Sequence, residues 1–166
     1  MRASVLAVLA AAGFVAAGCG GGPGLATSTH PEPPAGSLEA LWRAPGEDVA
    51  VTAGALDFAP GTNRFHFLVI DGRAQTVERP TARVWVSRGL KQTPFAEATA
   101  RLEDIGVPGG YEADVARIYV VEVDLPAAGR YWLLAEPVGG RRIQAIGTLD
   151  VNAKPAAPAV GDRAFA

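Results

Sequence analysis

Apolar and polar residues alternate in short segments over most of the chain, and turn-forming residues separate these segments. The segments are residues 48–53, 64–71, 82–87, 95–102, 115–125, 130–136 and 142–151. Successive side chains of a strand point to opposite faces, so the alternation predicts strands with one face in a core. In the longest segment, Tyr119, Val121 and Val123 share such a face. About seven short strands predict an all-β fold, namely an immunoglobulin-like antiparallel β-sandwich of two sheets over residues 37–153.

A short helix is predicted before the first strand. The apolar residues with helical spacing are Leu38, Leu41 and Trp42. Ser37 can cap the helix, and the Pro-Gly pair at residues 45–46 can end it. We expect one or two turns packed on the edge of the domain.

One turn carries a tyrosine with a predicted structural role. Residues 125–131, LPAAGRY, give the end of a strand, a glycine turn and Tyr131 at the opening of the next strand. This arrangement resembles the tyrosine corner of immunoglobulin-like sandwiches, in which the tyrosine hydroxyl bonds to upstream backbone. The alternative is that Tyr131 is only an aromatic residue facing the core.

Two tryptophans alternate away from the inferred core face. Trp85 lies next to Val84, and Trp132 lies next to Tyr131. Such tryptophans form an apolar patch for a partner if they are exposed. The alternative is that the N-terminal helix or the edge of the other sheet covers them.

The N-terminus has the layout of a secretory signal peptide. Arg2 precedes an apolar run over residues 4–17, and small residues lead to Cys19. Residues 16–19, AAGC, resemble the lipobox of bacterial lipoproteins, which implies cleavage between Gly18 and Cys19 and a diacylglycerol on Cys19. Two acyl chains anchor a protein stably to a membrane. Residues 1–18 are thus the predicted signal peptide, and the alternative is that the apolar run is an uncleaved transmembrane helix. For Cys19 the alternative is a buried or redox cysteine.

Residues 19–36 read as a flexible Gly/Pro/Thr tether between this anchor and the domain. The glycines after Cys19 do not form a phosphate loop, because no strand precedes them, no helix follows and the Gly-Lys-Ser/Thr ending is absent. His30 is predicted to be a solvated residue of the tether. The Pro/Ala-rich residues 154–166 form a second terminal segment.

Composition excludes several classes of function. The 166 residues include 15 Lys and Arg against 17 Asp and Glu, so no basic face suited to nucleic acid is evident. A single cysteine excludes an internal disulfide and any multi-cysteine metal site. With one methionine and two histidines, the chain has few ligands for a soft metal, and we expect no cofactor.

Candidate catalytic or metal-binding residues are few. His66 alternates away from the core face, and we expect a half-exposed strand residue, the alternative being a catalytic or ligand role. No glycine-flanked serine accompanies it, so the sequence does not support a Ser-His-Asp arrangement. Four acidic residues flank a glycine pair, but their spacing fits no known calcium loop, and we expect them to be solvated. They are Glu103, Asp104, Glu112 and Asp114.

Four segments resemble a group of high-GC actinobacterial lipoproteins. They are residues 44–50 (APGEDVA), 61–68 (GTNRFHFL), 82–86 (ARVWV) and 126–132 (PAAGRYW). The resemblance implies an N-terminal immunoglobulin-like domain, which a thioredoxin-like domain follows in many of these proteins. The tail resembles the linker to that second domain, which implies a stand-alone version or a truncated or split product. No Cys-x-x-Cys pair exists here, so thiol–disulfide chemistry does not carry over.

The sequence therefore predicts a lipid-anchored, extracytoplasmic binding or accessory module without catalysis. The membrane is the expected partner through the lipid on Cys19. One alternative is the docking half of a split or truncated redox lipoprotein, with a thioredoxin-like protein as partner. A weaker alternative is a β-sandwich that carries a metal.

Overall fold

A computed structural model of the protein describes residues 31–54, 57–106, 116–158 and 163. Its elements are α1 (Leu38–Trp42), β1 (Glu47–Ala53), β2 (Gly61–Ile70), β3 (Thr81–Ser87), β4 (Ala96–Asp104), β5 (Arg117–Leu125), β6 (Gly129–Pro137) and β7 (Ile143–Val151). The all-β prediction is confirmed, as are the short helix and its cap. The signal peptide, Gly18, Cys19 and His30 lie outside the described residues.

The seven strands form one closed ring of hydrogen-bonded neighbours. Their order is β1-β2-β5-β4-β3-β6-β7, and β7 returns to β1. Every pairing is antiparallel except that of β1 with β7, which is parallel. The predicted sandwich of two separate sheets is not confirmed, because no break separates two sheets in this ring.

The ring closes because two strands change partners along their length. In β4, residues 96–101 pair with β3 and residues 101–104 pair with β5. In β1, residues 47–50 pair with β7 and residues 50–53 pair with β2. Strands that switch sheets in this way make the corners of a β structure. The group β2–β5 and the group β3–β6–β7 are thus joined at both sides.

The core fills the inside of this ring. The predicted inner face of β5 is buried, and so are the alternating aromatic residues of β2. Four aromatic rings follow one another with centroids 5.7, 5.2 and 5.3 Å apart, the first pair tilted and the other two stacked; they are Phe58, Phe65, Phe67 and Tyr119. Fully burying each large apolar side chain contributes about 1.5–3 kcal/mol. The period-two pattern of the sequence therefore becomes the core of the barrel.

The helix α1 covers the outer face of β3, β6 and β7. Leu38 packs with Trp85 and Leu134 in a second apolar cluster there. Ser37 caps the helix by accepting a hydrogen bond from the Ala40 amide (3.1 Å). The first helical amides donate to the β3–β4 loop, with Leu38 N 2.9 Å from the Gln92 carbonyl oxygen. A helix of five residues is not stable alone, so these contacts and its packing hold it.

Candidate functional site

The outer faces of β2, β5 and β4 form a groove that carries both charged and apolar side chains. One cavity of about 610 Å³ is lined by Gly54, Arg64, His66, Glu103, Asp104, Ile105, Ile118 and Val120. Strand register brings these residues together, because His66 lies opposite Val120, and Glu103 lies opposite Ile118. Ile105 is 44% exposed although it is a large apolar residue. The groove therefore offers hydrocarbon contact beside groups that bind by charge.

An ion pair crosses this groove. Arg64 on β2 and Glu103 on β4 approach to 2.8 Å, with β5 between their strands. Both side chains remain partly exposed, so the pair is open to competition from a ligand's own charges. These residues are 39 positions apart in the sequence, so the sequence alone did not predict that they form an ion pair.

The predicted candidate His66 lies on the wall of the groove, half-buried. The Gly54 amide donates to the His66 carbonyl oxygen (2.9 Å). A Cβ atom on residue 54 would lie 2.3 Å from His66 Cδ2, so glycine leaves the space that the imidazole occupies. Among the described residues, no carboxylate or hydroxyl group is hydrogen-bonded to the ring. Among these residues His66 therefore has no orienting partner of the kind found in a catalytic triad.

A second cavity continues the groove where β4 separates from β5. Its volume is about 410 Å³, and Arg64, Glu103 and Val120 line it together with Ala98, Thr99, Arg101, Val121 and Glu122. Pairing between the two strands ends at Arg101 and Val120. We call this opening, bounded by residues 96–101 of β4 and 120–125 of β5, the β4–β5 fork.

Tyr131 has the contacts expected of a tyrosine corner. It is buried near the start of β6, and its hydroxyl donates to the Ala127 carbonyl oxygen at 2.6 Å. The same hydroxyl accepts from the Ala127 amide at 3.2 Å. The Arg88 guanidinium lies 3.9 Å from the ring centre, and Phe95 packs edge-on against the ring. These contacts pin the turn between β5 and β6.

Tyr119 makes an equivalent contact that sequence reasoning missed. Its hydroxyl donates to the Val77 carbonyl oxygen (3.1 Å) and accepts from the Arg79 amide (2.8 Å). Burial raises the pKa of the Tyr119 hydroxyl above its ordinary value. The sequence showed only that Tyr119 shares the inner face of its strand, since its bonding partners lie 40 residues away.

The structure corrects the interpretation of Trp85 as a partner contact. Trp85 is only 7% exposed, because α1 packs over it with Leu38. Trp132 is half-buried beside the same cluster. Both tryptophans do point away from the barrel interior, and cover by the N-terminal helix is the alternative that the sequence left open. They hold α1 on the barrel.

Of the four acidic residues that flank the glycine pair, two lie in the part of the chain that the structure describes. Glu103 pairs with Arg64, and Asp104 lies exposed at the edge of the groove, whereas Glu112 and Asp114 lie outside the described residues. Within residues 31–54, 57–106 and 116–158, no three His, Cys, Asp or Glu side chains group as metal ligands do. The helix in this part of the chain is too short to cross a bilayer.

The segment after β7 is fixed to the barrel by an aspartate. Asp57 accepts hydrogen bonds from the Ala156 and Ala157 amides, both at 2.9 Å. These two bonds hold the pKa of the Asp57 carboxyl below its ordinary value of 3.8. The first residues of the tail are therefore attached at a defined place.

Comparison of the chain with family models, curated proteins and solved structures finds no match. The resemblance to actinobacterial lipoproteins stays a prediction.

Proposed function

We propose that this protein is a non-catalytic binding or accessory module with an immunoglobulin-like fold, anchored by a lipid on Cys19 to the extracytoplasmic face of the cell membrane. The groove over β2, β5 and β4 is its binding surface. The lipobox-like residues 16–19 and the apolar run before them support the anchor. The groove is the observation on which the proposal of binding rests.

Strand order supports the immunoglobulin-like assignment. In such domains one sheet has the order A-B-E-D, and the other has the order C-F-G. When β1 to β7 are lettered A to G along this chain, β1-β2-β5-β4 has the order A-B-E-D and β3-β6-β7 has the order C-F-G. Tyr131 near the start of β6 corresponds to the tyrosine near the start of strand F. On this interpretation the barrel is a sandwich whose edge strands β1 and β4 each reach across to the other sheet.

The composition of the groove supports binding over catalysis. Ile105, Ile118 and Val120 give apolar contact, and the pair of Arg64 and Glu103 gives charge of both signs. Interfaces that form and dissociate combine apolar and polar area in this way. The His66 ring, which packs against Gly54, is suited to contact more than to proton transfer.

Cross-linking in intact cells tests the binding surface. An Arg64→Ala variant combined with Ile118→Ala is compared with Arg130→Ala, since Arg64 and Arg130 are similarly exposed and each pairs with a carboxylate. We expect cross-linked products of the wild type to persist in Arg130→Ala and to fall at least about tenfold in the groove variant. Equal products from the two variants would refute the assignment of the groove.

Metabolic labelling with a fatty acid tests the anchor. We expect the wild type to be labelled and to sediment with membranes, and a Cys19→Ala variant to be unlabelled and unprocessed. A Cys19→Ala protein that is still processed and membrane-bound contradicts lipidation.

A further inference from the structure

The β4–β5 fork exposes backbone hydrogen-bonding groups of two strands. The Ile105 amide donates to the Ala116 carbonyl oxygen (2.9 Å), and the register continues through Glu103 with Ile118 and Arg101 with Val120. Odd-numbered residues of β4 therefore direct their N–H and C=O groups toward β5, and even-numbered residues of β5 direct theirs toward β4.

Beyond Arg101 and Val120 the two strands separate, and these groups lose their partners. The residues concerned are Glu97 and Thr99 on β4, and Glu122 and Asp124 on β5. None of them has a backbone partner across the fork among the described residues. An unpaired row of this kind is a template for another strand.

The fork is also open on the inner side of the sheet. Ala96, Ala98 and Ala100 face the interior, but only Ala100 is buried, and the first two remain half-buried. Alanine has too little bulk to close the gap. The cavity at the fork is accordingly lined by the inward-facing Ala98 and Val121 as well as by outward-facing residues. Side chains on both faces of an added strand would therefore find contacts.

We propose that the fork binds an extended segment of a partner protein, which adds as a strand along the edge of β5. This inference deepens the proposed function and rests on it. Backbone groups of Glu122 and Asp124 supply the hydrogen bonds, as in other cases of strand addition. The segment buries small apolar side chains against Ala96 and Ala98.

Charge identifies the outward side chains of that segment as basic. Two arginines also line the fork: Arg64 is already paired with Glu103, and Arg101 lies at the closed end, where pairing with β5 stops. The carboxylates of Glu97 and Glu122 stand on the outer face, and no ion pair to either occurs among the described residues. Lysine or arginine at every second position would face them. A second copy of this chain is disfavoured, because antiparallel pairing of two β5 edges would set Glu122 and Asp124 against the same carboxylates of the other copy.

The probe is the labelled peptide acetyl-Lys-Val-Lys-Val-Lys-amide, added to the purified full-length protein in a mild detergent. Fluorescence anisotropy measures binding, and hydrogen exchange with mass spectrometry locates it. We expect saturable binding and slower exchange in residues 117–125. A peptide N-methylated at alternate residues keeps its charge but loses the backbone N–H donors along one edge of the strand. We expect it to bind at least about tenfold more weakly.

Two protein variants test whether a change of charge weakens binding only when it is made at the fork. Glu122→Lys should weaken binding at least about tenfold. Asp48→Lys changes charge equally at an exposed position on β1 and should leave binding unchanged. Absence of binding at millimolar peptide, retained affinity of the N-methylated peptide, or protection away from β5 would each overturn strand addition. If the peptide fails while the groove variant still loses its cross-links, strand addition is wrong and the proposed function stands.

Discussion

Removing the hydroxyl group of Tyr131 tests how the turn into β6 is held. The Tyr131→Phe substitution deletes one oxygen atom and retains the ring, so the contacts with Arg88 and Phe95 persist. The change therefore isolates the two hydrogen bonds to Ala127, at 2.6 and 3.2 Å. We expect a loss of stability with little change of structure.

The size of the loss follows from the surroundings of the bonded groups. A typical intramolecular hydrogen bond contributes about 0.5–1.5 kcal/mol net. Ala127 is exposed, so its freed amide and carbonyl groups return to water, and the larger cost of a buried unpaired group does not arise. Two bonds then give a loss of about 1–3 kcal/mol in the free energy of unfolding. For a domain of this size the fall in Tm is roughly 4–12 °C.

Urea unfolding, followed by tryptophan fluorescence, measures this loss. Tyr119→Phe is the matched comparison, because its hydroxyl also makes two backbone bonds, to Val77 and Arg79. Those partners are less exposed than Ala127, so Tyr119→Phe should cost at least as much. If Tyr131→Phe unfolds within about 0.3 kcal/mol of the wild type, the corner does not stabilise the fold as argued.

Three further predictions use the same unfolding assay or amide exchange. Gly46→Ala would put a Cβ atom 1.9 Å from Oε1 of the buried Gln144, so it should cost about 1–3 kcal/mol, whereas Gly72→Ala, with open space around it, should be near neutral. Trp85→Ala should cost about 3–5 kcal/mol because it empties the space beneath α1, and a cost near zero would contradict the burial. The lowered pKa of Asp57 means that its bonds to the tail are present above pH 3.8 and are lost as pH falls through the pKa in the folded state. Exchange of the tail amides should therefore accelerate in acid, and Asp57→Asn should remove that dependence.

The sequence predicts which side of a strand faces the core, because the alternation of apolar and polar residues reports that property. Tyr119, Val121 and Val123 on β5 are buried as predicted. Alternation says nothing about which strand lies beside which, and hence nothing about a strand that changes partners. The ring closed by β1 and β4 was therefore missed. The groove was missed for the same reason, because Arg64 and Glu103 meet only through the lateral order of β2, β5 and β4.

Trp85 shows a second limit of the alternation pattern. A large apolar residue on the outer face of a strand is compatible with a partner's surface and with a covering helix. The sequence contained the covering segment, since Leu38 has helical spacing and Ser37 can cap. The sequence does not show where that helix packs, because its place is set by backbone hydrogen bonds from Glu39 to Leu90 and from Leu38 to Gln92, which are 51 and 54 positions apart. Such a contact has no local signal.

The fork between β4 and β5 does have a local trace in the sequence. Residues 96–100, AEATA, alternate like any half-buried strand, but the inner positions are all alanine. Three alanines bring little apolar area to a core, so the position of this half of β4 depends on its neighbours more than on its own burial. Here those neighbours differ along its length, β3 over residues 96–101 and β5 over residues 101–104. The weak inner face and the change of partner together leave the edge of β5 unpaired. A strand-binding edge and a closed barrel thus arise from the same feature of β4.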